Sequence, residues 1–233
     1  VEISLEGIVV IVGSFGSGKS EVAINLAASG KKAGLQVAIA DLDLVNPYFR
    51  VREARTQLTD MGIDVVLPPE EYLQADLPIL SPVVAGLIRR PSELTILDVG
   101  GDKVGATVLA ALGDAFEQSP LRMIQVVNPM RPGTDTIDGC IRIRTEIEEA
   151  ARQPISGFIG NANLIDETTP EEIYSGYEFV NALAAKCGLP LEFVTVAEDL
   201  VAVIETGRFN CAVLPIRRQL LPPWRQARRL GSA

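Results

Sequence analysis

The sequence predicts an α/β fold, a doubly wound and mostly parallel sheet of about seven strands with helices on both faces, on three observations. Short β-branched runs recur along the chain, each followed by a stretch of helical period, which is the pattern of successive strand–helix units. Hydrophobic residues make up 47% of the 233 positions but aromatics only 5%, so the core is built from Val, Ile, Leu and Ala, as where helices cover both faces of a parallel sheet. A glycine-rich turn, G-S-F-G-S-G-K-S at 13–20, lies between the first apolar run and the first helical segment.

The elements follow in order. Strands are expected at 8–12 (IVVIV), 37–41 (VAIAD), 63–67 (IDVVL), 94–98 (LTILD), 123–127 (MIQVV), 155–160 (ISGFIG) and 191–196 (LEFVTV). Lys19 to Lys32 places apolar residues at 23, 24, 26, 27 and 28, enough to bury one face of a helix. Further helices are expected near 103–118, 134–152, 171–187 and 198–207. Residues 67–82 carry four prolines and form the longest irregular connection. With no repeat and no low-complexity linker, residues 1–233 read as one domain with a basic C-terminal segment, 216–233.

Composition narrows the chemistry. The net charge is −9, and because the last eighteen residues hold five arginines and no acid, the preceding body carries −14. Polyanions are not drawn to such a body, so nucleic acid is not an expected partner. Histidine is absent, which argues against His-dependent hydrolases and zinc sites. Cys140, Cys187 and Cys211 are widely spaced and read as small buried hydrophobes of a reducing compartment. No signal peptide and no apolar run near membrane-spanning length is visible, so a cytoplasmic location is expected.

Gly13-x-x-x-x-Gly18-Lys19-Ser20 has the spacing of a P-loop, with a strand before it and a helix after it. That context lets the backbone of Gly13, Ser14, Phe15, Gly16, Ser17 and Gly18 wrap phosphates at the positive end of a helix. Lys19 reaches the terminal phosphates as a catalytic cation, and the Ser20 hydroxyl is a ligand for Mg²⁺. Asp98 ends a later strand in T-I-L-D-V-G-G, where its carboxylate serves the same metal and Gly101 turns the backbone towards the γ-phosphate. Asp41 and Asp43 follow the second strand as D-x-D. One is suited to reach Mg²⁺ through water and the other to orient an attacking water, and the spacing does not say which.

Together, a P-loop, D-x-D-x-x-x-P and D-x-G-G resemble the MinD/ParA-like branch of the SIMIBI class of P-loop NTPases, the group that also contains the cobyrinate amidases, from about residue 7 to about residue 215. The resemblance implies Mg²⁺ and ATP as cofactors, Asp41 and Asp43 as switch I, and Asp98 to Gly101 as switch II. It also implies Asn161 as the strand-end residue that reads adenine and Glu198, in V-A-E-D, as the other wall of the base site. An Asn amide matches the adenine N6/N7 edge, and no N-K-x-D guanine sequence follows a strand, so ATP is expected over GTP.

The chain departs from that branch in one place. The signature lysine after the first glycine is replaced by Ser14, so activation across a dimer by that lysine does not carry over. Arg50, Arg52, Lys103 and Arg131 are the cations available to replace it, in cis or from a second subunit. The expectation is a switch-like ATPase, slow without its partner, acting on a protein client or an ATP-dependent homodimer. Weak membrane contact through the C-terminal segment is a further expectation. The alternatives are an ATP-dependent small-molecule amidoligase or carboxylase, and a nucleotide-sensing scaffold with little turnover.

Overall fold

The computed structural model describes residues 3–43, 50–67, 82–101, 103–116, 119–221 and 230. Eight parallel strands form one sheet: β1 (Gly7–Val12), β2 (Val37–Leu42), β3 (Asp64–Val66), β4 (Leu94–Val99), β5 (Leu121–Val127), β6 (Ile155–Gly160), β7 (Leu191–Ala197) and β8 (Ala212–Ile216). Their spatial order is β3-β2-β4-β1-β5-β6-β7-β8. The first strand is therefore central, and the chain winds outwards from it in both directions. That leaves the carboxyl end of β1, where the glycine-rich turn begins, at the switch point where α/β sheets place ligands.

The sheet has one more strand than the sequence predicts, and the reason is Pro215. Within A-V-L-P-I a proline reads as a strand breaker, because it donates no ladder hydrogen bond. On the outermost strand it needs none on the open side, and β8 is that edge strand. At the opposite edge β3 is only three residues long, which limits unpaired backbone there.

Helices cover both faces. On one side α1 (Lys19–Lys32) packs with a 3₁₀ turn at Val51–Ala54 and α2 (Arg55–Asp60) over Ile11, Ile39 and Ile96. On the other, α3 (Pro82–Arg89), α4 (Lys103–Ala111), α5 (Gly113–Phe116) and α6 (Ile137–Ala151) cover Val10, Leu97 and Met123. Beside them α7 (Pro170–Cys187) covers Phe158 and Val194, and α8 (Glu198–Val201) follows β7. The helix expected over 103–118 is two helices, and that expected over 198–207 is α8 with a separate 3₁₀ turn at Thr206–Arg208.

The ends of α7 show local sequence setting a boundary. Pro170 occupies its first turn, Thr169 and Glu172 form a reciprocal capping box, and Gly188 closes the helix at φ 65°. By contrast α1 is buried on more than the one face its periodicity predicts. Leu220 and Leu230 from the C-terminal segment join the same core, and Leu230 N donates to Gln57 Oε1 at 2.9 Å. The expected irregular connection at 67–82, the tail at 222–229 and the side chain of Lys103 lie almost wholly outside the described residues. Among those residues no helix is long and apolar enough to cross a membrane.

Candidate functional site

The glycine-rich turn joins β1 to α1 with no spare volume. Gly18 sits at φ 88°, a left-handed conformation that an L side chain resists, and a Cβ built there would lie 2.3 Å from Asn161 Nδ2. Lys19 is 6% exposed, and its Nζ donates back to the Ser14 carbonyl at 3.3 Å. Ser20 is buried in the first turn of α1, while Phe15 at the tip of the turn is 77% exposed. The Ser14 and Ser17 hydroxyls are buried without hydrogen-bond partners. A turn that orphans two hydroxyls beside a buried lysine is arranged around something it binds.

The two acidic motifs meet beside it. In the parallel register Asp41 of β2 stands opposite Asp98 of β4, so two carboxylates are neighbours in a buried sheet. Asp41 is compensated: Arg52 Nε donates to its Oδ2 at 3.1 Å, and the Asp43 backbone N–H donates to its Oδ1 at 3.1 Å. Burial still raises its pKa above the ordinary value, against the pull of Arg52. Asp98 has no such partner. Burial first, then the Asp41 carboxylate, push it up to about 7, against the Ser20 hydroxyl and the Lys19 ammonium. Ser20 lies close enough to lower that value but completes no well-formed hydrogen bond to either Asp98 oxygen, and both oxygens are buried without one.

An orphaned, fully buried carboxylate beside a serine hydroxyl is a donor set that fits Mg²⁺. Among the described residues no group of three His, Cys, Asp or Glu is disposed to hold a metal. Mg²⁺ does not need one, since it is held through one or two carboxylates, phosphate oxygens and water.

The D-x-G-G loop closes over the turn. A Cβ built on Gly101 would lie 2.6 Å from Lys19 Nζ, 3.0 Å from Phe15 N and 3.1 Å from Gly13 O, so only a glycine backbone fits against the P-loop here. Next to it, a Cβ on Gly100 would lie 3.2 Å from Asp43 Oδ1, which places Asp43 at the same junction.

From this junction a cavity of about 890 Å³ runs along the carboxyl ends of β5 to β8. Gly16, Lys19, Ser20 and Asp43 line one end; Asn163, Asp166, Ala197, Glu198 and Asp199 line the other. The volume and the mixed polar and apolar walls suit a small organic ligand.

Asn161 is placed differently from its expected role. Its Nδ2 donates to the Ser17 carbonyl at 2.6 Å and its Oδ1 accepts from the Thr195 hydroxyl at 2.5 Å, so its amide braces the P-loop against β7. Glu198 lies on the cavity wall as expected, its two carboxylate oxygens sharing the Arg217 Nε–H at 2.6 and 2.7 Å. Of the four candidate cations, Arg52 is bound to Asp41, Arg50 is 6% exposed, and Arg131 stands against Gly16; none of these three is the solvated surface charge such residues usually are.

One group has no signal in the sequence. Glu21, in the first turn of α1, accepts from the Gln219 and Leu220 backbone N–H groups at 2.7 and 3.0 Å, and burial raises its pKa despite them. Asn25 pairs with Arg217 through N–H and C=O together. These bonds tie the cavity wall at 217–221 to the helix that starts at the P-loop. Glu21→Ala orphans two buried N–H groups, each worth about 1–3 kcal/mol. The variant is expected to melt roughly 4–24 °C lower, by calorimetry, for a chain of this size.

No protein-family model matches the chain, and no curated protein matches it by sequence. Solved structures do match its fold. The cell division protein FtsY from Thermotoga maritima superposes with a TM-score of 0.59 at 20% identity, covering 85% of this chain and 64% of that one. The 54 kDa signal recognition particle protein from Aeropyrum pernix, in complex with GDP, gives 0.53 at 19% identity, covering 83% and 42%. FlhF complexed with GMPPNP and Mg²⁺ gives 0.52 at 18% identity, covering 83% and 67%.

The fold is that of a P-loop NTPase. These neighbours belong to the SIMIBI class, in which MinD/ParA is a sibling branch. The chain spans about three-fifths of the length of the FtsY chains it matches, at 59–60% for four of them. Within this P-loop NTPase fold, Lys19, Ser20 and Asp43 line one end of one cavity, with Asp98 beside Ser20 and Gly101 against Lys19.

Proposed function

We propose that the protein is a Mg²⁺-dependent nucleoside-triphosphate switch that hydrolyses its nucleotide slowly and signals to a protein client or through a homodimer. The observation that carries this reading is the contact of Gly101 with Lys19 and the P-loop backbone. A terminal phosphate would compete for the Lys19 ammonium, which now donates to Ser14, and would bear directly on the loop that Asp98 begins. A one-phosphate difference in ligand thereby becomes a displacement of backbone, which is how order changes in a switch loop arise.

The chain's own residues divide the work. The P-loop backbone and Lys19 bind the phosphates, and Asp98 with Ser20 would hold the cation. Mg²⁺, when bound, neutralises charge on the phosphate oxygens. Asp43, which lines the cavity, takes the role of positioning an attacking water, because Asp41 is committed to Arg52.

ATP is our reading of the base, because N-K-x-D is absent after the strands. A second reading, GTP, is favoured by the Asp166 carboxylate on the cavity wall, a double acceptor that matches guanine N–H groups. It is also favoured by two structural neighbours having been solved with GDP and GMPPNP.

Calorimetric titration with Mg²⁺-ATP and Mg²⁺-GTP, followed by phosphate release and light scattering, tests the proposal. The expected result is micromolar binding with ATP several-fold tighter, slow turnover without a second substrate, and a triphosphate-dependent increase in mass. Tighter GTP binding would assign the base to Asp166. Failure of both triphosphates to bind would overturn the switch.

A further inference from the structure

We propose that Arg131, on the turn after β5, is the cation that holds the polyphosphate chain of the ligand from the same subunit, completing the P-loop on the side where Ser14 offers no charge. The inference rests on the nucleotide reading above and adds to it the residue that supplies the second positive charge.

Four observations place it. Arg131 lines the cavity together with Gly16, Gly18 and Lys19. A Cβ built on Gly16 would lie 3.8 Å from Arg131 Nε and 3.9 Å from its Cδ, so the guanidinium stem runs along the middle of the phosphate-binding turn rather than along the base end. Its Nε is buried and has no hydrogen-bond partner, and among the described residues it forms no ion pair. An unpaired buried guanidinium N–H beside a phosphate cradle calls for an anion.

The fourth observation is that its backbone is held independently of any ligand. Asn128 Oδ1 accepts from the Met130 and Asn163 N–H groups, and Asn128 Nδ2 donates to the Asn163 carbonyl. The buried Thr134 hydroxyl is shared between the Asn128 and Arg131 carbonyls. The N-P-M-R-P-G-T turn is thus braced by a polar network that fixes where Arg131 starts, leaving its side chain to meet the ligand. Preorganisation of this kind lets a charge act without being ordered at the moment of binding.

The competing cations are accounted for differently. Arg52 is bonded to Asp41. Arg50 Nε and Arg52 Nη2 are also buried without partners, but neither residue lines the cavity, and the charge of Arg50 is offset by the field of the Asp41, Asp43 and Glu53 carboxylates.

The test uses a ligand without a base. Mg²⁺-tripolyphosphate and Mg²⁺-ATP are titrated into the full chain and into Arg131→Ala and Arg131→Lys, at low and high salt, with thermal melts of each. Arg131→Ala is expected to bind both ligands at least tenfold more weakly and with a shallower salt dependence, at an unchanged melting temperature. Arg131→Lys should recover most of the affinity. Wild-type affinity and salt slope in Arg131→Ala would overturn the assignment. So would equal loss in the alanine and lysine variants together with a lowered melting temperature, which would make the residue a structural brace. Absence of binding by the wild type would instead overturn the nucleotide reading itself.

Discussion

Asp98→Asn is expected to make the nucleotide-free protein more stable at pH 8 by about 4 kcal/mol while abolishing Mg²⁺-dependent turnover. The stability half follows from linkage. Asp98 titrates near 7 in the fold, well above its ordinary value of 3.8, because it is fully buried and faces Asp41. Between those two pH values the folded chain keeps a proton that the unfolded chain has lost, so unfolding becomes easier as pH rises through that window. The full penalty is in place above pH 7 and vanishes below pH 4. Asparagine carries no charge, so the variant should lose this slope and coincide with wild type only at low pH.

The activity half follows from the same burial. An ionised Asp98 is costly without a cation and favourable beside one, so binding of Mg²⁺-nucleotide at pH 6 should release close to one proton. Urea unfolding at pH 5 and pH 8, with proton counts from calorimetry in two buffers, checks both halves. If Asp98→Asn shows no gain at pH 8, the carboxylate is not held at a cost and its assignment as the cation ligand loses its physical basis.

Asn161→Asp is expected to lower stability by about 2–4 kcal/mol and to weaken ATP and GTP by the same factor. The amide donates to the Ser17 carbonyl at 2.6 Å inside a buried site, and a carboxylate there would set oxygen against oxygen. The loss falls on the P-loop backbone, so it is indifferent to the base. Had Asn161 been free to read adenine, ATP affinity alone would fall. Thermal melts paired with titrations of the two nucleotides separate these outcomes, and a selective loss of ATP would restore the base-reading role.

The P-loop was legible because each of its parts is local: an apolar strand, glycines that tolerate left-handed backbone, and Lys19-Ser20 opening a helix within eight residues. The strands flanking it were legible for a related reason, since β-branched runs buried on both faces leave a continuous apolar signature. Pro215 hid β8 because the penalty a proline carries in a strand depends on whether that strand is central or at an edge, and no residue near 212–216 says which.

The same distinction runs through the site. Asp41, Asp43 and Asp98 were identified by sequence as a group, yet their division of labour was not. Which carboxylate is compensated depends on Arg52, eleven residues beyond Asp41, and on the β2–β4 register. Asn161 was singled out at the right end of the right strand, but its partners are Ser17, 144 positions away, and Thr195, 34 away. Glu21 was passed over because its partners lie 198 and 199 positions further on.

By itself the sequence determined the α/β architecture, the phosphate-binding turn and the acids near it, since periodicity, glycine conformation and strand-end placement are properties of neighbours along the chain. Only the tertiary structure decided that Asn161 braces the turn, that Arg52 neutralises Asp41 and leaves Asp98 the unpaired carboxylate, and that Gly101 rests on Lys19. Those outcomes depend on which distant group reaches a buried polar atom first, and in a low-dielectric interior that pairing, rather than residue type, sets what each side chain is left able to do.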